Sequence, residues 1–385
     1  MTVSRLRDVP GIGVDRVGDE ADRAADPSIL RLENLDTDLR PPSEALEATR
    51  RAIEDDSANS YLPFLGHDAL RQAAAAHVSR LSGVPYDWKR NCIVTAGGLS
   101  GILTTLLALL EPGDCVVLTD PTYVGLLNRV RLAGGVPVFA AIVPGRDGWA
   151  LDHKRLLALQ AARPRVVLAM SPSMPSGAVL TAKDWTAIAE LCRSTDAWLL
   201  YDAAMERILY DHRPYLHPAS SPGMAERTIT VGSLSKEYRM IGWRVGWIVG
   251  PPAPLADIAL ACISNVVCPV GIAQAAAIAA LAAPEQDLAS AVAEWQRRRD
   301  VVLSELAGLP VTPPGGGWSL LFDAGALDLD GATASRRLMD KGKIAATPMA
   351  GWGGPAASRY VRLVFSNESC ERLAGVGERV RRALL

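Results

Sequence analysis

Several common signals are missing from this sequence of 385 residues. Its six cysteines are scattered and form no CxxC pair, so neither a zinc site nor a disulfide framework is predicted. No long run carries charge of one sign, and the formal net charge of -2 argues against nucleic acid or anionic membrane as a partner. The charged N-terminal stretch lacks the apolar core of a signal peptide. We therefore expect no metal, a reducing cytoplasmic compartment and N-terminal residues that trail loosely.

One apolar stretch is long enough to imitate a membrane span. Residues 258–283 carry no charge, and a span needs about 20 residues. Polar residues, a proline and a glycine interrupt the stretch, and most of its apolar content is alanine. We interpret it as part of the protein interior.

What the sequence does contain, from about residue 90 onward, is a repeated rhythm of a β-branched run, a turn residue and a helical stretch. This rhythm is typical of parallel strands joined by crossover helices. Most of the runs are continuously apolar, as in strands that helices cover on both faces. Only eleven residues separate the last two runs, so the last strand is expected to lie antiparallel to its neighbour. The seven runs are CIVTAG (92–97), CVVLTD (115–120), VPVFAAIV (136–143), RVVLAMS (165–171), WLLYDAA (198–204), TITVGS (228–233) and VGWIVG (245–250).

Both ends of the chain differ from this central part. Before it come an acidic stretch, LRLENLDTDLRPP, and a helix with a predicted serine cap at Ser43. After it come a long helix over about 285–306, a few strands and a closing amphipathic helix over 368–385. The two ends together predict a second, smaller layer.

Lys236 is conspicuous because lysine is rare here and this one follows a core strand. It lies in the string SLSKEYRMIGWRVGW, close to Ser233 and Arg244. The simplest interpretation is a solvated lysine in a surface turn. Burial, however, lowers the pKa of a lysine and makes its amine a nucleophile for imine formation. Hydroxyls and a guanidinium suit a phosphate, so the group predicts a phosphorylated aldehyde held as a Schiff base.

The string SLSKEYRMIGWRVG resembles the Schiff-base motif of the class I/II aminotransferases, which are fold-type-I pyridoxal phosphate enzymes. Six further strings follow the order and spacing of that family over nearly the whole chain. They are YLPFLG around Tyr61, TAGGLSG (95–101), EPGDCVVLTDPTY ending at Tyr123, PSMPSG around Pro175, YDAAMERILYD starting at Tyr201 and VRLVFS with Arg362.

The resemblance implies an α/β fold of two domains. The large domain, over 49–286, would hold a mostly parallel seven-stranded sheet flanked by helices and would bind pyridoxal 5'-phosphate. A smaller α+β domain would combine the N-terminal arm, 1–48, with the C-terminal part, 287–385. The resemblance also implies a homodimer in which Tyr61 reaches the phosphate in the neighbouring subunit.

The same resemblance gives the site residues their expected roles. Lys236 would form the Schiff base, while Ser233, Ser235 and Arg244 would bind the phosphate. The carboxylate of Asp202 would pair with the protonated pyridine nitrogen and so keep the ring an electron sink. The alternative for Asp202 is a helix N-cap.

Three further positions have a role by resemblance and an ordinary structural alternative. Gly97 and Gly98 open a helix whose free N–H groups suit a phosphate, although a tight turn alone would explain them. Tyr123 would stack on the cofactor ring, or else it is plain core. Arg362 would bind the substrate α-carboxylate, and its alternative is a structural salt bridge.

The sequence departs from the family pattern at four positions around the ring. Met174 and Met205 stand where the family has an asparagine and a tyrosine that donate hydrogen bonds to the ring oxygen O3' of the cofactor, and a thioether cannot donate. The loss of both donors predicts a Schiff base that stays protonated well above neutral pH. Leu99 replaces a hydroxyl residue, and Leu35 takes the place of a small residue near the substrate carboxylate. The two methionines either adapt the site to a bulky substrate or merely pack together.

Two enzymatic functions remain open on this basis. The first is transfer of the amino group of an α-amino acid to a 2-oxo acid, with Lys236 moving a proton at Cα. The second uses the same cofactor for β- or γ-elimination, replacement or C–C bond formation, as in relatives that act on S-adenosylmethionine, and the two methionines favour it. A pyridoxal phosphate-binding transcription regulator is not expected, because residues 1–48 are too few and too acidic for a DNA-binding module.

Overall fold

The computed structural model describes residue 3, residues 6–9 and residues 11–385. The strands in these ranges are β1 (Leu30–Arg31), β2 (Cys92–Thr95), β3 (Cys115–Asp120), β4 (Val136–Gly145), β5 (Gly148–Leu151), β6 (Val166–Met170), β7 (Trp198–Asp202), β8 (Thr228–Ser233), β9 (Gly246–Val249), β10 (Ser319–Asp323), β11 (Ile344–Ala345), β12 (Thr347–Pro348) and β13 (Tyr360–Val364). The helices are α1 (Val14–Ala24), α2 (Ser43–Ile53), α3 (Asp68–Ser82), α4 (Trp88–Asn91), α5 (Gly98–Leu109), α6 (Val124–Leu132), α7 (His153–Ala158), α8 (Ala182–Thr195), α9 (Pro252–Val266), α10 (Gly271–Leu281), α11 (Glu285–Glu305), α12 (Gly331–Arg337), α13 (Cys370–Leu373) and α14 (Val376–Leu384).

The large sheet contains all seven predicted strands. Its order is β2-β9-β8-β7-β6-β3-β4-β5, and β3, β4, β6, β7 and β8 run parallel to their neighbours in that group. The last predicted strand, β9, is antiparallel to both β8 and β2, as the short connection before it predicts. The eighth strand, β5, was not predicted. It follows the turn after Gly145 and pairs with the end of β4 as an edge hairpin.

Helices cover both faces of this sheet. Successive residues of β9 show the alternation: Ile248 packs with α5 and α9 on one face, whereas Trp247 and Val249 pack with α3 and α10 on the other. All residues of β6, β8 and β9 are buried, and so are the last four residues of β7. The continuously apolar runs are therefore explained by burial on two faces.

A smaller layer joins the two ends of the chain. Strand β1 pairs in parallel with β11, and β13 lies between β10 and β12. The long helix predicted over 285–306 is α11, and it packs against α13 and α14. These pairings confirm a small α+β layer built from both ends, while the domain boundaries at 48/49 and 286/287 stay a prediction.

Several local expectations were wrong. Residues 14–24 do not trail loosely but form α1, whose Val17 and Ala21 pack on Ile29 and Met339. Pro42, not Ser43, occupies the N-cap position of α2, and no side chain caps that helix. The closing helix is interrupted at Gly375, which adopts a left-handed conformation and separates α13 from α14.

The apolar stretch 258–283 belongs to two helices. It covers most of α9 and all of α10, whose buried residues pack in two different cores of the large domain. None of the helices within the described ranges is long and apolar enough to cross a membrane.

Candidate active site

The carboxyl ends of the parallel strands meet at one edge of the large sheet. Strand β7 ends at Asp202, β8 ends at Ser233 and β6 ends at Met170, while Tyr123 follows β3 after a short turn. Strand β2 runs in the same direction, because it and β8 are both antiparallel to β9. This edge of a sheet is where α/β proteins bind their ligands.

A cavity of about 790 Å³ opens at this edge, between the sheet and the small layer. It is large enough for a cofactor together with a substrate. Twelve of the predicted site residues border it, whereas Gly97 lies just behind its wall and Tyr61 lies elsewhere. The twelve are Leu35, Gly98, Leu99, Tyr123, Met174, Asp202, Met205, Ser233, Ser235, Lys236, Arg244 and Arg362.

The first part of the cavity is a cradle for an anion. Gly98 begins α5, so the free N–H groups of that helix start here. The Ser233 hydroxyl donates to the Ser235 hydroxyl at 3.0 Å, and Arg244 Nη1 donates to Ser235 Oγ at 3.2 Å. A helix N-terminus, two hydroxyls and a guanidinium thus converge, which is the donor set that a phosphate group requires.

The cradle depends on two glycines. Gly97 has φ of 85°, and a Cβ atom there would lie 2.6 Å from Arg244 Nη2. A Cβ atom on Gly98 would lie 3.2 Å from the Cβ of Ser233. A side chain at Gly97 would therefore push on Arg244 and one at Gly98 on Ser233, so both glycines keep the cradle open.

Lys236 lies directly after the cradle, and its amine faces the cavity. Its Nζ donates to the carbonyl oxygen of Leu35 at 2.7 Å and lies 4.8 Å from the centre of the Trp318 ring. Burial lowers the pKa of the Lys236 amine to about 7, although Asp36 works against this shift. A large share of the amine is therefore neutral and nucleophilic at physiological pH, and the surface-turn interpretation is wrong.

Asp202 is buried at the end of β7. Burial raises the pKa of its carboxyl to about 6, while the Ala204 N–H, which donates at 3.1 Å, and nearby Arg129 lower it. The contact with Ala204 matches the capping alternative, so Asp202 shapes the turn and also presents a carboxylate to the cavity. Arg129 was missed from the sequence. It is fixed by donating to the carbonyl of Leu99 at 2.8 Å.

Arg362 is only 1% exposed in β13 and lacks a carboxylate partner among the described residues. It donates to the carbonyl of Glu33 and approaches Met174 Sδ at 3.5 Å, with its guanidinium 4.9 Å from the centre of the Trp352 ring. Its Nε finds no hydrogen-bond partner in the part of the chain that the structure describes. Burial lowers the pKa of Arg362 to about 10, so it is a cation at neutral pH that is available to an anionic ligand.

The remaining ring positions are apolar. Met174 and Met205 are buried and both border the cavity, as does Leu99. The Tyr123 ring lies 5.5 Å from the Trp352 ring, and a Cβ atom on Gly125 would lie 2.4 Å from it, so that glycine gives the ring its space. The walls beside the ring position therefore offer sulfur and carbon where the family pattern has hydrogen-bond donors.

Tyr61 does not border the cavity of its own chain. Its side chain is 82% exposed, whereas a large aromatic side chain is usually mostly buried. The sequence also failed to indicate one wall of the cavity, which α1 forms with Asp15 and Asp19 and the segment after β1 forms with Glu33. The spacing of Val14, Val17 and Ala21 was the available signal for that helix.

Comparisons with known proteins decide the family. The sequence model of the family described as "Aminotransferase class I and II" matches residues 30–376. The chain belongs to the class I and II aminotransferases. It is 34% identical to the arginine–pyruvate transaminase of Pseudomonas aeruginosa over 90% of this chain and 89% of that protein. It is 32% identical to the aspartate/prephenate aminotransferase of Thermus thermophilus, again over 90% and 89%.

Solved structures agree with this assignment. The N-succinyldiaminopimelate aminotransferase from Mycobacterium tuberculosis has a TM-score of 0.89 to this aminotransferase at 32% identity, and the alignment covers 99% of each chain. The aspartate aminotransferase from Rhizobium meliloti has a TM-score of 0.90 at 27% identity, over 100% of this chain and 98% of that one. The α/β fold and the pyridoxal phosphate-dependent transferase class are thereby confirmed, and the elimination or C–C bond-forming alternative is not favoured.

The residues of the cavity fit the cofactor of this family, pyridoxal 5'-phosphate. The anion cradle suits its phosphate, and the amine of Lys236 suits its aldehyde. The carboxylate of Asp202 suits the ring nitrogen. Met174, Met205 and Leu99 supply no hydrogen-bond donor at the positions where the resemblance leads us to expect one.

Proposed function

We propose that this aminotransferase moves the amino group of an α-amino acid to a 2-oxo acid, with Lys236 as its central catalytic residue. The observation that carries the proposal is the buried amine of Lys236, whose pKa of about 7 suits both nucleophilic attack and proton transfer near neutral pH. The bound cofactor supplies an aldehyde that accepts the substrate amine and a ring that withdraws electrons from Cα. With the cofactor bound, the neutral amine of Lys236 would take the proton from the substrate Cα and hold it for return.

The other residues bind and orient. The N-terminus of α5 at Gly97 and Gly98, with Ser233, Ser235 and Arg244, would hold the phosphate. Asp202 would keep a proton on the ring nitrogen.

Two further side chains would orient the cofactor ring and the substrate. Tyr123 would pack its ring against the cofactor ring, and Arg362, whose Nε has no partner among the described residues, would hold the α-carboxylate of the substrate. Leu99, Met174 and Met205 would border the cofactor ring without donating to it, while Leu35 would close the substrate side. The names of the relatives differ in substrate, so they do not select one for this chain.

We further propose a homodimer in which Tyr61 completes the partner's site. Tyr61 lies in an exposed apolar surface, because Gly271 packs directly on the backbone of Ala58 and so brings the segment around Tyr61 next to α10. A patch of this kind is typical of a protein interface. Its exposed members are Ile53, Tyr61, Phe64, Val267, Val270 and Ile272. A cytoplasmic location is proposed as well, since all six cysteines are free thiols.

The test of the Lys236 assignment is chemical. Borohydride reduction of the holoenzyme followed by peptide mapping is expected to find a pyridoxyl group on Lys236. Lys236→Ala is expected to lose the visible absorbance of lysine-bound cofactor and to lower amino-group transfer by a factor of about 10² to 10⁴ or more. The exposed Lys89→Ala is the matched control and should retain both properties. A pyridoxyl group on another lysine, or a coloured and fully active Lys236→Ala variant, contradicts the proposal.

A further inference from the structure

One wall of the cavity carries a concentration of carboxylates that the proposed chemistry does not use. Helix α1 turns its apolar residues Val17 and Ala21 toward the small layer. Its residues Asp15, Asp19 and Asp22 lie at spacings of four and three, so they share the face that borders the cavity. The helix therefore presents an acidic face to the entrance of the site.

Behind this face lies a buried carboxylate that is only half satisfied. Glu33 is 1% exposed and borders the cavity. Its Oε1 accepts from Arg31 Nε at 2.8 Å, but its buried Oε2 has no hydrogen-bond partner in the described ranges. Leaving a buried charged oxygen without a donor is costly, so the position is built to accept a donor from elsewhere.

Arg31 does not serve that oxygen, because its guanidinium contacts the other Glu33 oxygen, Asp22 and a backbone carbonyl. Its Nη1 donates to Asp22 at 2.6 Å, and its Nη2 lies 2.7 Å from the same Glu33 oxygen that Nε serves. Its remaining contact is the carbonyl of Gly18 at 3.5 Å. Arg31 thus positions Glu33 and Asp22, while Asp15, Asp19 and the second oxygen of Glu33 have no cationic partner among the described residues.

The backbone around Glu33 connects this wall to the reacting groups. Arg362 Nη2 donates to the Glu33 carbonyl, and Lys236 Nζ donates to the Leu35 carbonyl at 2.7 Å. An amino acid that places its carboxylate on Arg362 and its amine near Lys236 therefore lies against residues 33–35. Its side chain extends along the cavity wall that Glu33 and α1 form.

We infer that the substrate is an α-amino acid with a cationic side chain, whose guanidinium or ammonium group binds the free oxygen of Glu33 beneath the acidic face of α1. This inference rests on the proposed amino-group transfer and names its substrate class. The wall attracts an organic cation and repels a side-chain carboxylate. It suits a metal ion less well, since no three acidic, histidine or cysteine side chains of the described residues are grouped to ligate one.

The first test compares L-arginine with L-citrulline, which are nearly equal in size and differ in charge, and L-lysine with L-norleucine, which lacks the side-chain ammonium group. The holoenzyme is incubated with each amino acid in the presence of pyruvate as the acceptor. The cationic member of each pair is expected to have a kcat/KM at least about tenfold higher, because a charged donor to a buried carboxylate contributes more than a neutral one. L-glutamate is expected to be the poorest of the five.

The second test removes the carboxylates one at a time. Glu33→Gln is expected to lower the arginine-to-citrulline ratio of kcat/KM about tenfold, chiefly through KM for arginine. Asp19→Asn lies on the exposed face of α1, cannot disturb the buried pair with Arg31, and is expected to lower the same ratio by about two- to fivefold. Glu20→Gln changes the next residue of α1, which does not border the cavity, and should leave the ratio unchanged.

The outcomes separate this inference from the proposed function. Equal or better turnover of citrulline, norleucine or glutamate overturns the cationic class and leaves amino-group transfer standing. A ratio that neither Glu33→Gln nor Asp19→Asn lowers overturns the role of the acidic wall. A holoenzyme that forms no 2-oxo acid from any of the five amino acids overturns the proposed function and this inference with it.

Discussion

Burial sets the chemistry of the two central ionisable residues. Lys236 and Asp202 would both be fully charged in water at neutral pH, and burial disfavours the charged form of each. The amine of Lys236 is shifted toward its neutral form, and the carboxyl of Asp202 is shifted toward its protonated form. Both shifts cost folding free energy, and we expect that cost to be measurable in the cofactor-free protein.

Asp202→Asn should stabilise the cofactor-free protein at neutral pH while it destroys activity. The carboxyl pKa is 3.8 in the unfolded chain and about 6 in the folded one. Its protonated form therefore contributes stability that is complete below pH 3.8 and is lost as the pH rises through 6. At pH 7.5 the variant should gain about 2 to 3 kcal/mol of unfolding free energy over the native protein, and only about 1 kcal/mol at pH 4.5.

Urea unfolding of the cofactor-free proteins at the two pH values measures this difference. The exposed Asp257→Asn is the matched control and should show no such pH dependence. The same gain for Asp202→Asn at both pH values would contradict the assigned direction of the pKa shift. Amino-group transfer by the reconstituted variant should fall by about a hundredfold or more, because the charge beside the ring is gone.

Met174 and Met205 should determine how the visible absorbance of the holoenzyme depends on pH. With no donor to the O3' oxygen, the Schiff base at Lys236 should keep its proton and its long-wavelength absorbance from pH 6 to pH 8. Met174→Asn combined with Met205→Tyr restores two donors and should lower the pKa of that Schiff base by about one to two units for each.

An absorbance titration of the native, single-variant and double-variant holoenzymes measures these pKa values. The two single variants act as internal controls, since each should give an intermediate pKa. Native absorbance that bleaches between pH 6 and 8 would show that the methionines do not have this effect. Packing alone would then explain them.

At the scale of elements, the backbone conformation of the turn between β2 and α5 is expected to affect the affinity for the cofactor. Gly97→Ala places a methyl group within 2.6 Å of Arg244 Nη2 and also forces alanine to adopt φ of 85°. The strain costs about 1 to 2 kcal/mol, and the clash displaces a phosphate ligand. We expect the dissociation constant of the cofactor to rise about tenfold or more.

Gly113→Ala separates the two causes. Gly113 has φ of 97°, but nothing lies within 4 Å of a Cβ atom there. The Gly113→Ala variant should lose about as much unfolding free energy as Gly97→Ala but should keep its affinity for the cofactor. Cofactor titration followed by fluorescence measures both variants, and equal affinities would exclude a role for the clash with Arg244.

At the scale of the whole molecule, the exposed position of Tyr61 predicts that two chains share each site. Lys236→Ala and Tyr61→Ala chains should each be poorly active alone at limiting cofactor concentration. A heterodimer of the two has one site with native Lys236 from one chain and native Tyr61 from the other. Mixing equal amounts under conditions that exchange subunits should therefore restore about a quarter of the native activity.

Light scattering during chromatography gives the oligomeric state, and activity is measured after exchange. Mixing Lys236→Ala with Lys236→Arg is the control, because neither chain supplies a native lysine. A monomer in solution, or mixed chains whose activity is only the average of the two, would contradict a shared site.

Much of this architecture could be predicted from local patterns. Seven of the eight strands of the large sheet follow apolar runs in the sequence, and these runs alternate with helical stretches in one repeated pattern. The edge strand β5 could not be found in the same way, because the four residues Gly148–Leu151 become a strand only by pairing with β4. For the same reason the two-residue strands β1 and β11 are defined by each other.

Some residues of the candidate site could be predicted from the sequence, and others became apparent only in the structure. Lys236, Asp202 and Arg244 carry their chemistry in short strings, so the sequence was sufficient to propose them. The acidic wall was not visible, because α1 and Glu33 are remote in sequence from the lysine and only the fold brings them to the same cavity. The serine cap of α2 was wrong because the proline before it occupies the cap position.

The sequence alone determined the order of the strands along the chain, the family and the choice of Lys236 as the proposed reactive lysine, since each depends on local composition or on strings of a few residues. Only the tertiary structure decided the pKa shifts of Lys236 and Asp202, the unpaired Nε of Arg362 and the unpaired oxygen of Glu33. These properties arise from burial and from contacts between residues up to hundreds of positions apart. No local pattern encodes how much water a side chain loses or which partner it lacks.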